Sequence, residues 1–117
     1  MGETAGKTSL NSLSTIQAER DEWVAHNFPL NTIEDSFTGM VEEMGELAHH
    51  LLKERQGIRS DGVDHEAEIE DACADLIIFM LGIAHHRGFV LDEVLNEVWA
   101  SVKQRDWVKY PHDGRTI

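Results

Sequence analysis

Two stretches gather carboxylates at helical spacing: Val41-Glu42-Glu43-Met44-Gly45-Glu46-Leu47 and Glu68-Ile69-Glu70-Asp71-Ala72-Cys73-Ala74-Asp75-Leu76. On a helix, residues three, four or seven apart share a face, so Glu43 stands beside Glu46, and Glu68, Asp71 and Asp75 form one stripe. The acids adjoin core-type residues, among them Leu47, Leu51, Leu76, Ile77, Ile78, Phe79, Met80 and Leu81. Like charges packed together repel, and partial burial adds a desolvation cost, so a cation is expected among them. Oxygen-only ligands suit hard divalent ions such as Mg²⁺ or Mn²⁺, whereas zinc prefers nitrogen and sulfur. The chemistry expected is therefore a carboxylate-bound metal site between two packed helices. The competing reading is a pair of solvated helix faces in an acidic chain.

Other constellations are weaker. Glu46 and His49 form Glu-x-x-His, which di-iron bundles use twice, but no second copy exists because Asp71, Asp75 and Glu97 lack a histidine three residues on. His49 and His50 read as exposed or interfacial, and His85-His86 stands at a helix C-terminus, where positive charge is favourable. His65-Glu66 has Ile69 where a zinc-protease motif needs its second histidine. Neither a Gly-x-x-x-x-Gly-Lys phosphate loop nor Gly-x-Ser-x-Gly is present. Nucleotide chemistry here would have to run through metal ions. The cations placed to meet phosphates are Lys53, Arg55 and Arg59 after the first acidic cluster and Lys103, Arg105 and Lys109 near the end of the last helix; a solvated role competes for each. Trp23, Trp99 and Trp107 occupy positions that favour core packing, although Trp107 would serve equally for stacking. Asn27 and Phe28, where the first helix ends, are placed to bracket a ring and read its edge.

Four helices are expected to position these groups. The first runs from Ser9 or Asn11 to about His26, stopped by Asn27-Phe28-Pro29 because a residue before proline avoids helical geometry. The second starts after Asn31 or Thr32, where Thr32 and Asp35 resemble a capping box, and carries Ile33, Phe37, Met40, Met44, Leu47 and Leu51 on one face to about Arg55. Gly39 and Gly45 weaken it unless close approach is needed. A loop from Gln56 to Asp64 leads to the third helix, about His65 to Arg87, with Gly88 as its left-handed terminator. Its middle, Leu76 to Ile83, is apolar nearly all round, which predicts burial on every side and hence a subunit interface. The fourth spans about Leu91 to Trp107. Residues 1–8 read as a loose N-terminus, 9–110 as the helical domain and 111–117 as an irregular tail. The fold class is all-α, an antiparallel four-helix bundle that assembles into a dimer or tetramer.

Composition narrows the partners. Ten basic against 22 acidic residues give a net charge of −12, which argues against binding nucleic-acid polymers or anionic lipid. A polyanionic small molecule remains compatible where metal ions neutralise the acids. Cys73 is the only cysteine, so no intramolecular disulfide forms; the chain reads as reduced cytoplasmic material, with Cys73 a packing residue. No apolar run reaches the roughly 18 residues of a membrane span.

Glu42-Glu43-Met44-Gly45-Glu46-Leu47-Ala48, Asp71-Ala72-Cys73-Ala74-Asp75-Leu76-Ile77-Ile78-Phe79 and the closing Arg105-Asp106-Trp107 resemble the MazG-like, all-α nucleoside triphosphate pyrophosphohydrolase superfamily. Lys53 with Gln56-Gly57-Ile58-Arg59 looks like a subgroup of small phage and bacterial members. The family pattern is Glu-x-x-Glu, a spacer, then Glu-x-x-Asp. The first half falls on Glu43 and Glu46 and the final Asp on Asp75, but Ala72 stands three residues before it, so the fourth ligand is assigned to Asp71, with Glu68 in reserve. The resemblance implies hydrolysis of a (d)NTP to the monophosphate and pyrophosphate with two or three Mg²⁺ or Mn²⁺ ions, and Glu42 orienting water or supporting a ligand. Lys53, Arg59, Lys103 and Arg105 would offset charge on the pyrophosphate, while Trp107, Trp23 and Asn27 complete the candidate substrate contacts. The phage subgroup points to (d)GTP; dUTP, dCTP or damaged nucleotides are the alternatives within the superfamily, and a non-catalytic acidic helical module is the alternative outside it.

Overall fold

The computed structural model describes residues 10–115, so the proposed N-terminal segment 1–8 lies outside the described residues. Four helices make up the ordered structure: α1 (Leu13–Asn27), α2 (Ile33–Gln56), α3 (His65–Arg87) and α4 (Leu91–Val102), with no strand among the described residues. The all-α expectation holds. None of these helices is long and apolar enough to cross a membrane.

Local chemistry sets most of the boundaries. Ser12 caps α1 by accepting from the Thr15 backbone N–H, and Thr32 and Asp35 complete a reciprocal capping box at α2. Asp64 caps α3 through the Ala67 N–H, and Gly88, at φ 75°, closes it in the left-handed region. The fourth helix departs from expectation by stopping at Val102 rather than continuing to Trp107. Asp106 explains the stop: its Oδ1 accepts from the Val108 and Lys109 backbone N–H groups, which drives the chain into a turn. The tail then folds back, with the Asp106 N–H donating to the Gly114 carbonyl at 2.7 Å. A Cβ at Gly114 would meet the Trp107 indole at 2.8 Å, so Trp107 belongs to this closed turn and not to a helix.

The α2–α3 pair is the frame of the molecule. His50 meets His65, Gly39 lies beneath the Phe79 ring, and Ser36 lies beside Gly82, so positions rise along α2 as they fall along α3. Helix α1 packs on α3, where the Arg20 Nε donates to the Ile78 carbonyl at 2.8 Å. Gln17 ties the start of α4 to α1: its Nε2 donates to the Phe89 carbonyl and its Oε1 accepts from the Leu91 N–H. That second bond supplies a partner for a helix N-terminus whose own N-cap residue, Val90, has no side-chain acceptor.

Within one chain the apolar core is slight. Among the described residues only Ala72, Leu81 and Ala84 are buried apolar side chains. Ile77 and Ile78 remain exposed, so α3 is not covered on all sides by its own chain. Trp99 is 56% exposed, and Leu95 and Val98 stand open beside it. Val98 and Trp99 lie three and four positions beyond Leu95 and so share its face of α4.

Candidate functional site

The carboxylate columns meet along the α2–α3 seam. Glu43 is partly buried, and its carboxyl is held above the usual glutamate range, first by desolvation and then by the charges of Asp75, Glu42 and Glu46. Asp75 comes from the facing helix, so charge from both helices acts on Glu43. It does so because the two helices approach closely at Gly39 and Gly82, where side chains would collide with Phe79, Ser36 and Arg20.

Further along the same seam stands a histidine cluster. His50 is buried, with Nε2 3.7 Å from Glu46 Oε2 and 4.0 Å from Glu68 Oε2. Its Nδ1 shares a 2.9 Å hydrogen bond with Nδ1 of His65, which is also buried. The expectation that both His49 and His50 are exposed or interfacial is thus wrong for His50, because the four-residue step from Glu46 turns it into the seam while His49 stays outside. The sequence signal was Glu46-x-x-x-His50; what it lacked was the tertiary partner His65.

A cleft of about 520 Å³ opens beside Asp75, bounded by Ile16, Glu19, Arg20, Trp23 and Ile78. Trp23 packs edge-on against Phe28 with ring centroids 5.7 Å apart. Asn27 donates from Nδ2 to the Trp23 carbonyl, and with Phe28, Pro29, Leu30 and Phe79 it borders a second, neighbouring cleft of about 640 Å³. Arg20 escaped sequence reasoning, since an arginine among Glu19, Asp21 and Glu22 reads as a solvated residue. It is buried, with Nη1 3.4 Å from Asp21 Oδ1, and Asp21 in turn reaches His85 Nδ1 at 3.2 Å.

The remaining candidates are more dispersed. Glu42, Glu46, Glu68 and Asp71 are exposed, and Ala72 rather than Asp71 is the buried residue at that turn. Lys53 donates to Gln56 Oε1 at 3.1 Å at the end of α2. Arg59 adopts a positive φ of 56° in the α2–α3 loop. Lys103 follows α4, and Arg105 lies with Ser101, Gln104 and Arg115 around a small cleft at the tail, its Nε buried with no partner. Cys73 is exposed, which corrects its reading as a packing residue.

The donor set along the seam fits a divalent cation in kind: several carboxylates, one of them destabilised in its charged form by its neighbours. As the side chains stand, no three His, Cys, Asp or Glu residues among those described close around a single point. Compared with family models, curated proteins and solved structures, the chain matches none.

Proposed function

We propose that this chain is a metal-dependent nucleoside triphosphate pyrophosphohydrolase of the MazG-like type, converting a (d)NTP to the monophosphate and pyrophosphate. The observation that carries the reading is the raised pKa of Glu43, caused first by desolvation and then by the charge of Asp75 on the facing helix and of Glu42 and Glu46 on its own. Such convergence is costly unless a cation balances it. Glu43, Glu46 and Asp75 would hold Mg²⁺ or Mn²⁺, with Asp71 or Glu68 as the fourth ligand. When bound, two or three such ions would supply charge neutralisation on the phosphates and acidify the attacking water.

The chain's own residues do the rest. Trp23 and Ile78 offer apolar walls beside Asp75 for a nucleoside, and Asn27 stands at the neighbouring cleft to read a polar edge. Lys53, Arg59, Lys103 and Arg105 come from the α2 end, the loop and the segment after α4, and act as electrostatic contacts to the leaving pyrophosphate, while Trp107 is a candidate stacking contact to the base. Glu68 gains support over Asp71 because His50 lies within 4.0 Å of it and also close to Glu46. By the same reading the bundle is antiparallel and acts as a homodimer or tetramer. A second copy covers α4 and the open side of α3.

The test is release of pyrophosphate and monophosphate with Mg²⁺ or Mn²⁺ across a nucleotide panel that includes dGTP, dUTP and dCTP. Glu46→Gln and Asp75→Asn should each lower kcat/KM at least about 100-fold, the scale of losing a charged transition-state contact. Undiminished activity in both variants removes this mechanism; no activity with any nucleotide favours an inert acidic module. The resemblance makes (d)GTP the preferred substrate, and the panel decides it.

A further inference from the structure

We infer that the small cleft at the C-terminal tail is a binding site for a phosphate-sized oxyanion, held by Arg105 and Arg115 with Ser101 and Gln104. The inference goes beyond the reading above, which counts Arg105 among the pyrophosphate contacts, and needs neither a bound metal nor hydrolysis.

The cleft measures about 180 Å³ and is bordered by four residues, Ser101, Gln104, Arg105 and Arg115, each a hydrogen-bond donor and none negatively charged. Sites for drug-sized ligands begin at about 300 Å³, so this one suits a small ion and not a nucleoside. Two guanidinium groups around one hollow repel each other. Neither has a carboxylate to answer it, because the ion pairs among the described residues are those of Arg20, His50 and His85. The acids nearest in sequence are turned to the backbone: Asp106 Oδ1 accepts from the Val108 and Lys109 N–H groups, and Asp113 Oδ1 from that of Arg115. Arg105 is half-buried, and its Nε, closed to solvent, has no partner among the described residues. A buried cationic N–H left in that state calls for compensation by an ion or water. Being closed off, Nε is not itself the donor to a ligand, and the outer guanidinium nitrogens are what remain to meet an anion.

Backbone hydrogen bonds fix the arrangement. The Tyr110 N–H donates to the Asp106 carbonyl at 2.8 Å, the Gly114 N–H to the Tyr110 carbonyl at 2.7 Å, and the Asp106 N–H to the Gly114 carbonyl at 2.7 Å. This closed turn, packed at Gly114 against the Trp107 indole, returns the chain to the end of α4 and so brings Arg115 to the same cleft as Arg105. A helix C-terminus also attracts cations, but Lys103 at the cap of α4 already answers that half-charge, and two further guanidinium groups exceed it. A tetrahedral oxyanion takes donors from several directions. Two planar forks, a hydroxyl and a side-chain amide therefore fit it better than a flat carboxylate, which a single fork saturates.

Titration of the full chain with inorganic phosphate, followed by ¹H–¹⁵N nuclear magnetic resonance at constant ionic strength and without divalent metal, tests the site. Saturable shifts are expected at Ser101, Gln104, Arg105 and Arg115, with a dissociation constant below about 10 mM. Arg105→Gln should weaken binding about 10-fold, the scale of a hydrogen bond to a charged group, and the more exposed Arg115→Gln about 3-fold. Lys109→Gln removes the same charge from the tail outside the cleft and should change the dissociation constant by less than about 2-fold. Wild-type shifts that never saturate, or that saturate without moving these four residues, overturn the inference with no variant needed. A loss in Lys109→Gln equal to that in Arg105→Gln also overturns it, since the attraction is then diffuse. A parallel titration with dGMP separates the sources of the ligand: tighter binding of inorganic phosphate assigns the cleft to the free ion, and tighter binding of dGMP assigns it to a phosphate carried by a nucleotide, with the oxyanion site upheld in both cases. Because no metal or hydrolysis enters the measurement, the tail cleft and the carboxylate seam stand or fall separately.

Discussion

Where α2 meets α3, Gly39 lies beneath the Phe79 ring and Gly82 beneath Ser36 and Arg20; where α4 leaves the rest of the chain, Leu95, Val98 and Trp99 stand in the open. The first region is held by close approach, which glycine permits and any larger side chain would widen. That approach is also what brings Asp75 to Glu43. The second region has a pronounced apolar face but is tethered chiefly by Gln17 at its first turn. A helix of 12 residues gains little from its own hydrogen bonds and depends on packing. The hairpin thus has its partner inside the chain, whereas the apolar face of α4 is left uncovered by it.

The largest effect should come from the exposed region. Trp99→Glu places a charge at the centre of the α4 face, and loss of a central aromatic anchor costs about 2–4 kcal/mol in interfaces. If a second copy covers this face, the dissociation constant rises about 30- to 1,000-fold. Sedimentation across a concentration series measures it, and the wild-type Tm should climb with protein concentration while that of the variant does not. A monomeric wild type with a concentration-independent Tm would show that α4 is stable uncovered, and the contrast between the two regions would then lose its meaning.

Within the hairpin, Gly82→Ala is expected to be next. The new methyl would sit 2.3 Å from Ser36 Oγ and 2.4 Å from Arg20 Nη2, and overpacking of this kind costs about 1–3 kcal/mol. Urea unfolding measures the loss. Gly45→Ala is the control, since nothing lies within 4 Å of its added Cβ and the substitution should stabilise the helix by up to about 1 kcal/mol. Equal effects at the two glycines would mean that close approach does not set the seam.

These contrasts also show what could be read from residue order. The bounds of α3 were legible because Asp64 and Gly88 carry cap chemistry that depends only on neighbours, and Thr32 with Asp35 announced α2 in the same way. The end of α4 was not, since helical spacing continues through Trp107 while the decision is made by the Asp106 side chain competing for two backbone N–H groups. The carboxylate stripes were visible as stripes, and Asp75 facing Glu43 follows from them. His50 with His65 was invisible, being a pairing of residues 15 apart that exists only once the hairpin closes. Arg20 was hidden by its acidic neighbours, because burial against Ile78 and Gly82 is a property of the packed helices.

A smaller effect is expected at Ser36, whose hydroxyl is fully buried beside Gly82 without a hydrogen-bond partner. An unpaired buried hydroxyl costs roughly 1 kcal/mol or more, so Ser36→Ala should raise stability by about that amount. Urea midpoints check the sign. Destabilisation would mean that the hydroxyl is satisfied in solution.

The smallest effect, and the one that reports on the carboxylates themselves, is the pH dependence contributed by Glu43. Its folded-state pKa lies above its unfolded value, so the folded chain holds that proton more tightly. The contribution to stability is fully present below the unfolded pKa and is lost as pH rises through the folded one. Glu43→Gln, which cannot ionise, should therefore gain on the wild type as pH is raised through and above the ordinary glutamate range. Comparing the two proteins at each pH cancels the titration of the other acids to first order. Millimolar Mg²⁺ should shrink the gain at the upper end, because a bound cation replaces the repulsion from Asp75, Glu42 and Glu46 with attraction. A difference that stays flat with pH would show that Glu43 is well solvated and that the seam lacks the electrostatic tension from which the metal reading starts.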